Sequence, residues 1–270
     1  MSIQFLVTHS GGFHADELLS SVVLTRLFPD ARLVRSRDPH WTDPAVDRIV
    51  YDVGRAYDPA QQIFDHHQRP NPLRPDEQPY SSFGLIWKHY GTDYLRALDV
   101  EDSHIDAVHA KMDQGFVLPI DLMDNGAMEP SVAGPLSGLT LPVLLETLKA
   151  SFDDPRPDAD DQAFAAALPV ARSFLEAAVR GRADKMRAAS MVHDAIISAG
   201  DSRILELPVG MPFRSAVEDA KADHLLFVIH PRAEDWTLTG IRKGGNTFDL
   251  RADLPAAWAG LTDAALEQAT

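Results

Sequence analysis

The N-terminal part of the chain alternates between short apolar runs and longer segments of helical periodicity. Residues 3–9 form a β-branched and apolar run, and residues 15–28, after a glycine turn, repeat apolar side chains at helical spacing. Runs at 31–36 and 47–54 predict two more strands, and residues 81–91 predict a helix that a serine caps and the final glycine ends. This alternation predicts an α/β fold with a doubly wound, mostly parallel sheet.

The pattern changes in the C-terminal half. Residues from about 128 to 160 are rich in proline, glycine and aspartate, as linkers and turns are. Residues 161–199 predict a helix or a broken pair of helices with a kink at Pro169, and three strand-like runs follow. We therefore expect a larger α/β domain over residues 1–150 and a smaller α+β domain over residues 151–270.

Candidate metal ligands lie at strand ends and turns of the first part. In doubly wound sheets, ligands bind at the carboxyl ends of the strands. The chain has no cysteine, so histidine and carboxylate side chains must hold any metal. The candidates are His9, His14, Asp16, Asp52, Asp65, His66, His67, Asp121 and Asp124.

The stretch "FDHHQRP" places three of these candidates in a row at residues 65–67. Adjacent side chains on an extended segment point to opposite sides. Asp65 and His67 are then expected to face one way and His66 the other, so that one histidine binds metal while its neighbour handles the substrate.

The candidates belong to four motifs, HSGGFHAD, YDVG, DHH and DLMDNG, which together indicate a site for two divalent cations. Each motif alone also fits an ordinary turn or a packed residue, and only their conjunction indicates metal. Three imidazoles and three carboxylates would serve two ions, which can share a hydroxide nucleophile. Manganese is the expected metal, with magnesium, cobalt and zinc as alternatives for such a nitrogen and oxygen ligand set.

The net charge of −15 restricts the substrate. Proteins that hold long nucleic acid usually have a basic surface, whereas this surface repels phosphate. No apolar run approaches the roughly 20 residues that span a bilayer, and the N-terminus lacks the basic region of a signal peptide. We therefore expect a cytoplasmic protein that acts on short or small phosphate substrates, without binding to membranes or long duplexes. The oligomeric state is open, with a homodimer as one candidate.

The order of motifs also resembles a known family. H-x4-H-x-D-E, D-V-G-x-x-Y-D, F-D-H-H-Q, S-S-x-G-L-I-W-K-H-Y-G and D-x-x-D-N-G occur here in the order found in the melanocyte-proliferating-gene family of the DHH phosphoesterase superfamily. "VRSRDP" and the segment 248–266 resemble it too, so the resemblance spans nearly the whole chain. It implies a two-domain, metal-dependent phosphoesterase with a DHH-type catalytic domain, and eukaryotic members are regarded as RNA exonucleases.

The resemblance also implies roles for single residues. The first motif of the superfamily usually runs H-x3-D-x-D, whereas here His14 fills the place of the middle aspartate and the spacing is longer by one residue. Asp52 matches the bridging aspartate, and His67 matches the residue that meets the substrate phosphate, with Asp65 in support. The implied metal ligands are His9, His14, Asp16, Asp52, His66 and Asp124. Asp121 remains an alternative to Asp124.

Basic residues near these motifs are candidates for binding phosphate. Arg35 and Arg37 lie at a strand end, and Arg69 follows the double histidine. Arg242 and Lys243 belong to "IRKGGN" (241–246), a concentrated basic and glycine-rich spot in the C-terminal domain, where an exposed turn is the alternative. The superfamily often clamps substrate with its second domain, although this chain has no clear G-G-G-H signature.

The sequence thus favours a metal-dependent phosphoesterase, and two other functions stay open. One alternative keeps the chemistry but acts on pyrophosphate or a small-molecule phosphoester. The other is a metal-binding module that regulates or assembles without turnover. Substrate profiling with manganese separates hydrolysis of phosphodiesters from hydrolysis of pyrophosphate or small phosphoesters. The absence of any turnover would indicate the metal-binding module.

We predict that turnover favours oligonucleotides of a few residues over long structured RNA. The acidic chain has few basic side chains to attract phosphates that lie outside the site, so additional nucleotides should not strengthen binding. Rates on RNA of about three and about thirty nucleotides, at two salt concentrations, test this. A strong preference for the longer RNA that salt weakens steeply would contradict it and reveal a basic groove.

Overall fold

The computed structural model describes residues 2–244 and 247–269, with all of their side chains except those of 130–133. Its strands are Phe5–Thr8 (β1), Arg32–Arg35 (β2), Arg48–Tyr51 (β3), Tyr57–Asp58 (β4), Ile63–Phe64 (β5), Ile204–Glu206 (β6), Phe227–Pro231 (β7) and Trp236–Gly240 (β8). Its α-helices are Ala15–Leu27 (α1), Pro39–Thr42 (α2), Ser82–Ala97 (α3), Ile105–Met112 (α4), Leu118–Asp124 (α5), Leu141–Glu146 (α6), Ala159–Ala199 (α7), Arg214–Asp219 (α8) and Asp263–Ala269 (α9). A π-helical turn, Asp113–Val117, joins α4 to α5, and short 3₁₀ segments lie at Pro59–Gln61, Asp102–His104, Pro130–Leu139 and Ala256–Trp258.

The chain forms two compact units that divide between Ala183 and Asp184. This division lies later in the chain than the expected boundary at 150/151. The first half of α7 belongs to the first unit because Phe164 is buried there, with its ring edge-on to Phe13 at 5.4 Å. The assignment of catalysis to one unit and substrate clamping to the other stays a prediction.

The first unit contains a five-stranded sheet in the order β2-β1-β3-β5-β4 within the described residues. β1 pairs in parallel with β2 and β3, and β3 pairs in parallel with β5, while β4 is an antiparallel edge strand. Leu6, Val7, Ile49 and Val50 of the central strands are fully buried. The predicted α/β class with a mostly parallel sheet is confirmed.

Helix α1 is enclosed by the first unit. Apolar side chains at helical spacing predicted this helix, and every residue from Ala15 to Leu24 is buried in it. The helix packs against α3 and also contacts α5 and α6. Asp16 and Glu17, in its first turn, are therefore carried into the interior, where a carboxylate needs a partner.

Helix α3 continues past the glycine that was predicted to end it. Gly91 lies inside the helix, which runs to Ala97. A Cβ at Gly91 would come within 2.9 Å of the His109 and Trp87 rings, so the glycine permits this close packing. The chain leaves the helix near Asp99, which has a left-handed φ of 58°.

Helix α7 is continuous over 41 residues. The sequence left a single helix and a broken pair of helices open, and the structure has the single helix with Pro169 inside it. Buried Phe164, Ala167, Ala171 and Leu175 pack around this position, and such packing can outweigh the cost of about 3 kcal/mol for an internal proline. In the two described ranges of the chain, no helix has the length and apolar character needed to cross a membrane.

The second unit is a small α+β structure, as predicted. β6 pairs in parallel with β7, and β7 pairs antiparallel with β8. The three strands coincide with the three strand-like runs of the sequence. Its core includes Val192, Leu205, Val217, Leu225 and Val228, all fully buried.

A buried ion pair ties the start of α3 to α5 in the first unit. Asp121 is fully buried, and its carboxylate accepts hydrogen bonds from Arg74 Nη2 at 2.6 Å and Ser81 Oγ at 2.7 Å. The backbone N–H of Gly84 donates to the same carboxylate at 3.0 Å, where a side chain on residue 84 would clash. Asp121 is thus satisfied by protein groups that fix the two helices.

We predict that Asp121→Ala lowers the free energy of unfolding by about 3–5 kcal/mol, because it leaves Arg74 buried without its innermost partner. Asp113→Ala is the matched control: Asp113 also pairs with Arg74, at 2.6 Å, but is partly exposed. The control should lose about 1 kcal/mol or less. Urea unfolding followed by circular dichroism measures both, and equal losses would contradict the prediction.

Candidate metal centre

The predicted ligands meet at the carboxyl edge of the first sheet. His9 directly follows β1, Asp52 follows β3, and His66 lies two residues after β5. Since β1, β3 and β5 are adjacent parallel strands, their ends bring these side chains together. Asp16 joins them from the first turn of α1, and Asp124 joins them from the last turn of α5.

The carboxylate of Asp52 lies between two histidines. Asp52 has a left-handed φ of 54°, a conformation that aspartate tolerates better than most residues, and its side chain is buried. Its Oδ2 lies 3.2 Å from His9 Nε2, and its Oδ1 lies 3.3 Å from His66 Nε2. One carboxylate therefore belongs to two groups of potential ligands.

The first group surrounds His66. Its Nε2 lies 3.2 Å from Asp124 Oδ2 and 3.9 Å from Asp16 Oδ2, while its Nδ1 lies 3.4 Å from Asn125 Oδ1. Ser82 Oγ donates a hydrogen bond to Asp16 Oδ2 at 2.7 Å. Asp124 thus lies at this centre, whereas Asp121, the alternative to it, binds Arg74.

The second group surrounds His9 and includes a residue that was not among the predicted ligands. His9 Nε2 lies 3.0 Å from Glu17 Oε1, and the Glu17 carboxylate accepts the backbone N–H of His14 at 2.9 Å. Ligand atoms of His9, His14 and Glu17 lie within 4.8 Å of one another, as do those of His14, Asp16 and Asp124. Glu17 ends the first motif, H-x4-H-x-D-E, which was the available signal, but its spacing from His14 also fits an ordinary helix cap.

The "DHH" segment folds around the carboxylate of Asp65. Asp65 accepts the backbone N–H groups of Arg55 at 2.6 Å, His66 at 2.7 Å and His67 at 3.1 Å, and it lies 2.7 Å from His67 Nδ1. The prediction that the two histidines face opposite sides is wrong. Because the chain wraps around Asp65 after β5 ends, the two rings lie 4.3 Å apart, and His67 Nδ1 is 3.6 Å from Asp52 Oδ1. The two side chains differ in solvent exposure instead: that of His66 is 6% exposed, and that of His67 is 59% exposed.

Several buried atoms of the centre fit the requirements of divalent cations. Among the described residues, Asp16 Oδ1, Asp52 Oδ1 and His66 Nε2 are buried without a hydrogen-bond partner. Such atoms are costly to bury unless something satisfies them. Carboxylate oxygens and imidazole nitrogens without thiolate suit manganese, magnesium, cobalt or zinc. The residues present therefore fit the two ions that the sequence indicated.

The ionisation of the centre reflects an excess of buried negative charge. Burial would lower the pKa of His9 and of His66, but the neighbouring carboxylates outweigh it and raise both to about 10. Burial raises the pKa of Glu17 to about 8, and burial together with the charge of Asp16 raises that of Asp124 to about 9. Without cations, protons must supply the positive charge that this cluster requires.

Three exposed arginines line the cleft above the centre, which has a volume of about 1100 Å³. Arg37 and Arg69 were predicted to bind phosphate, and Arg55 joins them although the sequence did not single it out. Arg35 does not line this cleft. Its guanidinium contacts the Gly11 carbonyl and Asp161 and lies over the Phe164 ring at 4.5 Å, so it holds the glycine turn in place.

Two predicted substrate residues lie in the second unit. The Arg242 guanidinium is 4.5 Å from the Phe248 ring centroid and lines a separate cavity of about 520 Å³. The backbone N–H of Lys243 donates to Asp249 O at 2.9 Å. Gly245 and Asn246 of the same basic turn lie outside the described residues. A substrate role for this turn stays a prediction.

Comparisons with known proteins agree with the resemblance seen in the motifs. The family model MYG1_exonuc, described as uncharacterised protein family UPF0160, matches residues 5–270. The chain is 32% identical to a MYG1 exonuclease of Homo sapiens over 288 residues, covering 97% of the chain and 76% of that protein. It is 29% identical to a MYG1 protein of Schizosaccharomyces pombe, covering 98% and 87%. No solved structure matches the chain significantly.

We predict that His66→Ala and His67→Ala affect different properties. His66 is buried between Asp52 and Asp124, so its loss should lower the number of manganese ions that remain bound after dialysis. His67 is exposed in the cleft, so its loss should leave metal content unchanged while phosphodiester hydrolysis slows about 100-fold, as for a missing general acid. Metal analysis and initial rates on the same preparations measure both. Equal metal content and equal slowing would show that the two histidines share one role.

Proposed function

Because the chain belongs to the MYG1_exonuc family, we propose that it is a metal-dependent phosphoesterase that hydrolyses phosphodiester bonds as an exonuclease on short RNA or small nucleotides. The observation that carries the proposal is the Asp52 carboxylate, whose two oxygens face two separate histidines. Relatives named as exonucleases support a nuclease or phosphoesterase activity. The cytoplasmic location stays a prediction.

Six side chains of the centre would hold two divalent ions. They are His9, His14, Asp16, Asp52, His66 and Asp124. When bound, such ions supply a hydroxide nucleophile at neutral pH and neutralise charge on the phosphate. Manganese remains the expected metal. The support for this ligand set is the group of buried oxygen and nitrogen atoms that protein donors do not satisfy.

His67 is the residue proposed to transfer a proton. Asp65 holds its Nδ1 at 2.7 Å, which leaves Nε2 of this exposed ring to meet a substrate oxygen. The Asp65 hydrogen bond also raises the pKa of His67, which favours the protonated ring near neutral pH. A protonated imidazole can donate its proton to the leaving oxygen of a phosphodiester.

Arg37, Arg55 and Arg69 are proposed to bind substrate phosphates at the rim of the cleft. All three are exposed and line the same cavity as the ligand cluster. Three arginines can engage only a few phosphates, and the net charge of −15 disfavours more distant ones. Short oligonucleotides or single nucleotides therefore suit this cleft better than a long duplex.

We predict that chelated protein is inactive and that Mn²⁺ restores release of mononucleotides from short RNA. Asp52→Asn should remove this activity because it weakens the one carboxylate that both ligand groups share. The assay compares Mn²⁺, Mg²⁺, Co²⁺ and Zn²⁺ on short RNA, long RNA, nucleotides and pyrophosphate.

The same assay separates the alternatives. Faster hydrolysis of pyrophosphate than of any ester would make the protein a pyrophosphatase. Stable metal binding without turnover of any substrate would indicate a non-catalytic metal-binding module. Full activity of Asp52→Asn with a normal metal content would overturn the proposed centre.

A further inference from the structure

Glu17 is a buried carboxylate for which neither the motifs nor the proposed mechanism has a role. It lies in the first turn of α1, and its side chain is fully buried. Within residues 2–244 and 247–269, no lysine or arginine side chain forms an ion pair with it. Its partners are the His9 ring and the backbone N–H of His14. The N–H alone does not explain a buried negative charge at this position, because any helix-capping side chain could accept it.

The hydrogen bonding of His9 indicates a role for Glu17. His9 Nδ1 lies 3.2 Å from the Ser10 carbonyl oxygen, which can only accept a hydrogen. Nδ1 therefore carries the hydrogen in the neutral ring, and the lone pair is on Nε2. That Nε2 lies 3.0 Å from Glu17 Oε1 and 3.2 Å from Asp52 Oδ2. The lone pairs of His9 Nε2, Glu17 Oε1 and Asp52 Oδ2 therefore face one another. Their repulsion must be offset by a positive charge, either a proton or a metal ion.

A second observation favours a metal ion over a proton as that charge. Asp16 Oδ1 is buried and, within the described part of the chain, has no hydrogen-bond partner. The buried Asp52 Oδ1 lies 3.3 Å from His66 Nε2 without the geometry of a hydrogen bond. One oxygen each of Asp16, Glu17 and Asp52 lie within 4.8 Å of one another. A proton shared by His9 and Glu17 would give Asp16 Oδ1 no partner, whereas a divalent ion can bind several of these oxygens at once.

We propose that Glu17 is a metal ligand, and that Glu17, His9, His14 and Asp52 hold one of the two ions while Asp52 also serves the other. The inference rests on the proposed function only in taking the centre to bind divalent cations. It raises the number of carboxylates in the centre to four, the others being Asp16, Asp52 and Asp124. Two divalent cations then balance these four charges, and the additional oxygen ligand favours manganese or magnesium over zinc.

The test separates loss of a ligand from loss of a helix cap. Glu17→Gln keeps an amide oxygen that can accept the His14 N–H but removes the negative charge. Glu176→Gln is the matched control, since Glu176 is a partly buried glutamate of the same unit that lies 3.7 Å from Arg172 and does not line the cleft. Chelated wild-type protein and both variants are titrated with Mn²⁺. Calorimetry and the electron paramagnetic resonance signal of free Mn²⁺ give the number and affinity of bound ions, and melting temperatures are measured with and without Mn²⁺.

Wild-type protein and Glu176→Gln should bind two ions with equal affinity. Glu17→Gln should bind one of the two at least about tenfold more weakly. Its metal-free melting temperature should not fall, because the cap is kept and a buried charge is removed, while the rise on adding Mn²⁺ should be smaller than in the wild type.

Two ions bound by Glu17→Gln with wild-type affinity would overturn the proposal, and so would a large fall in its metal-free melting temperature, which would make Glu17 structural. Failure of the phosphoesterase proposal gives a different result. In that case the wild type binds two ions, Glu17→Gln loses one, and no phosphoester is hydrolysed. A wild type that binds no Mn²⁺ would overturn both.

Discussion

The position of the Asp52 carboxylate between His9 and His66 is the constraint on which the candidate site depends. Asp52 ends the middle strand of three parallel neighbours, and the two histidines follow the strands on either side of it. Its left-handed backbone turns the chain at that point, and its two oxygens each face a different imidazole. Any strand order that separated β1 or β5 from β3 would leave one histidine without this carboxylate.

This arrangement requires several carboxylates to be buried, which is energetically unfavourable. Helix α1 is enclosed on all sides, so it carries Asp16 and Glu17 into a region where carboxylates are poorly solvated. Hydrogen bonds from Ser82 and from the backbone of His14 hold these two side chains but do not neutralise them. If two cations balance four carboxylates, the attraction for phosphate comes mainly from the rim arginines. The metal centre would then activate the nucleophile, while the few exposed arginines at the rim would select short substrates.

The sequence by itself determined the α/β class and most of the ligand candidates. Strand and helix periodicity are local properties, and a polar residue directly after an apolar run marks the end of a strand. His9 and Asp52 follow from this rule, and His66 and Asp124 follow from the motif order. The absence of cysteine limited any ligands to nitrogen and oxygen. The sequence likewise located α7, but it could not decide between one helix and a broken pair at Pro169, because that depends on the packing of the buried face.

Only the tertiary structure decided which of these side chains share space. Glu17 reaches His9 because α1 folds back onto β1, whereas in the sequence its place at the end of the first motif also fits a helix cap. Arg35 precedes a predicted loop but turns toward Asp161, a residue far away in the chain. Gly91 ends no helix because His109 packs against it. In each case the deciding contact joins residues that are distant in sequence or lie on separate elements, and no local pattern of polar and apolar residues encodes such a contact.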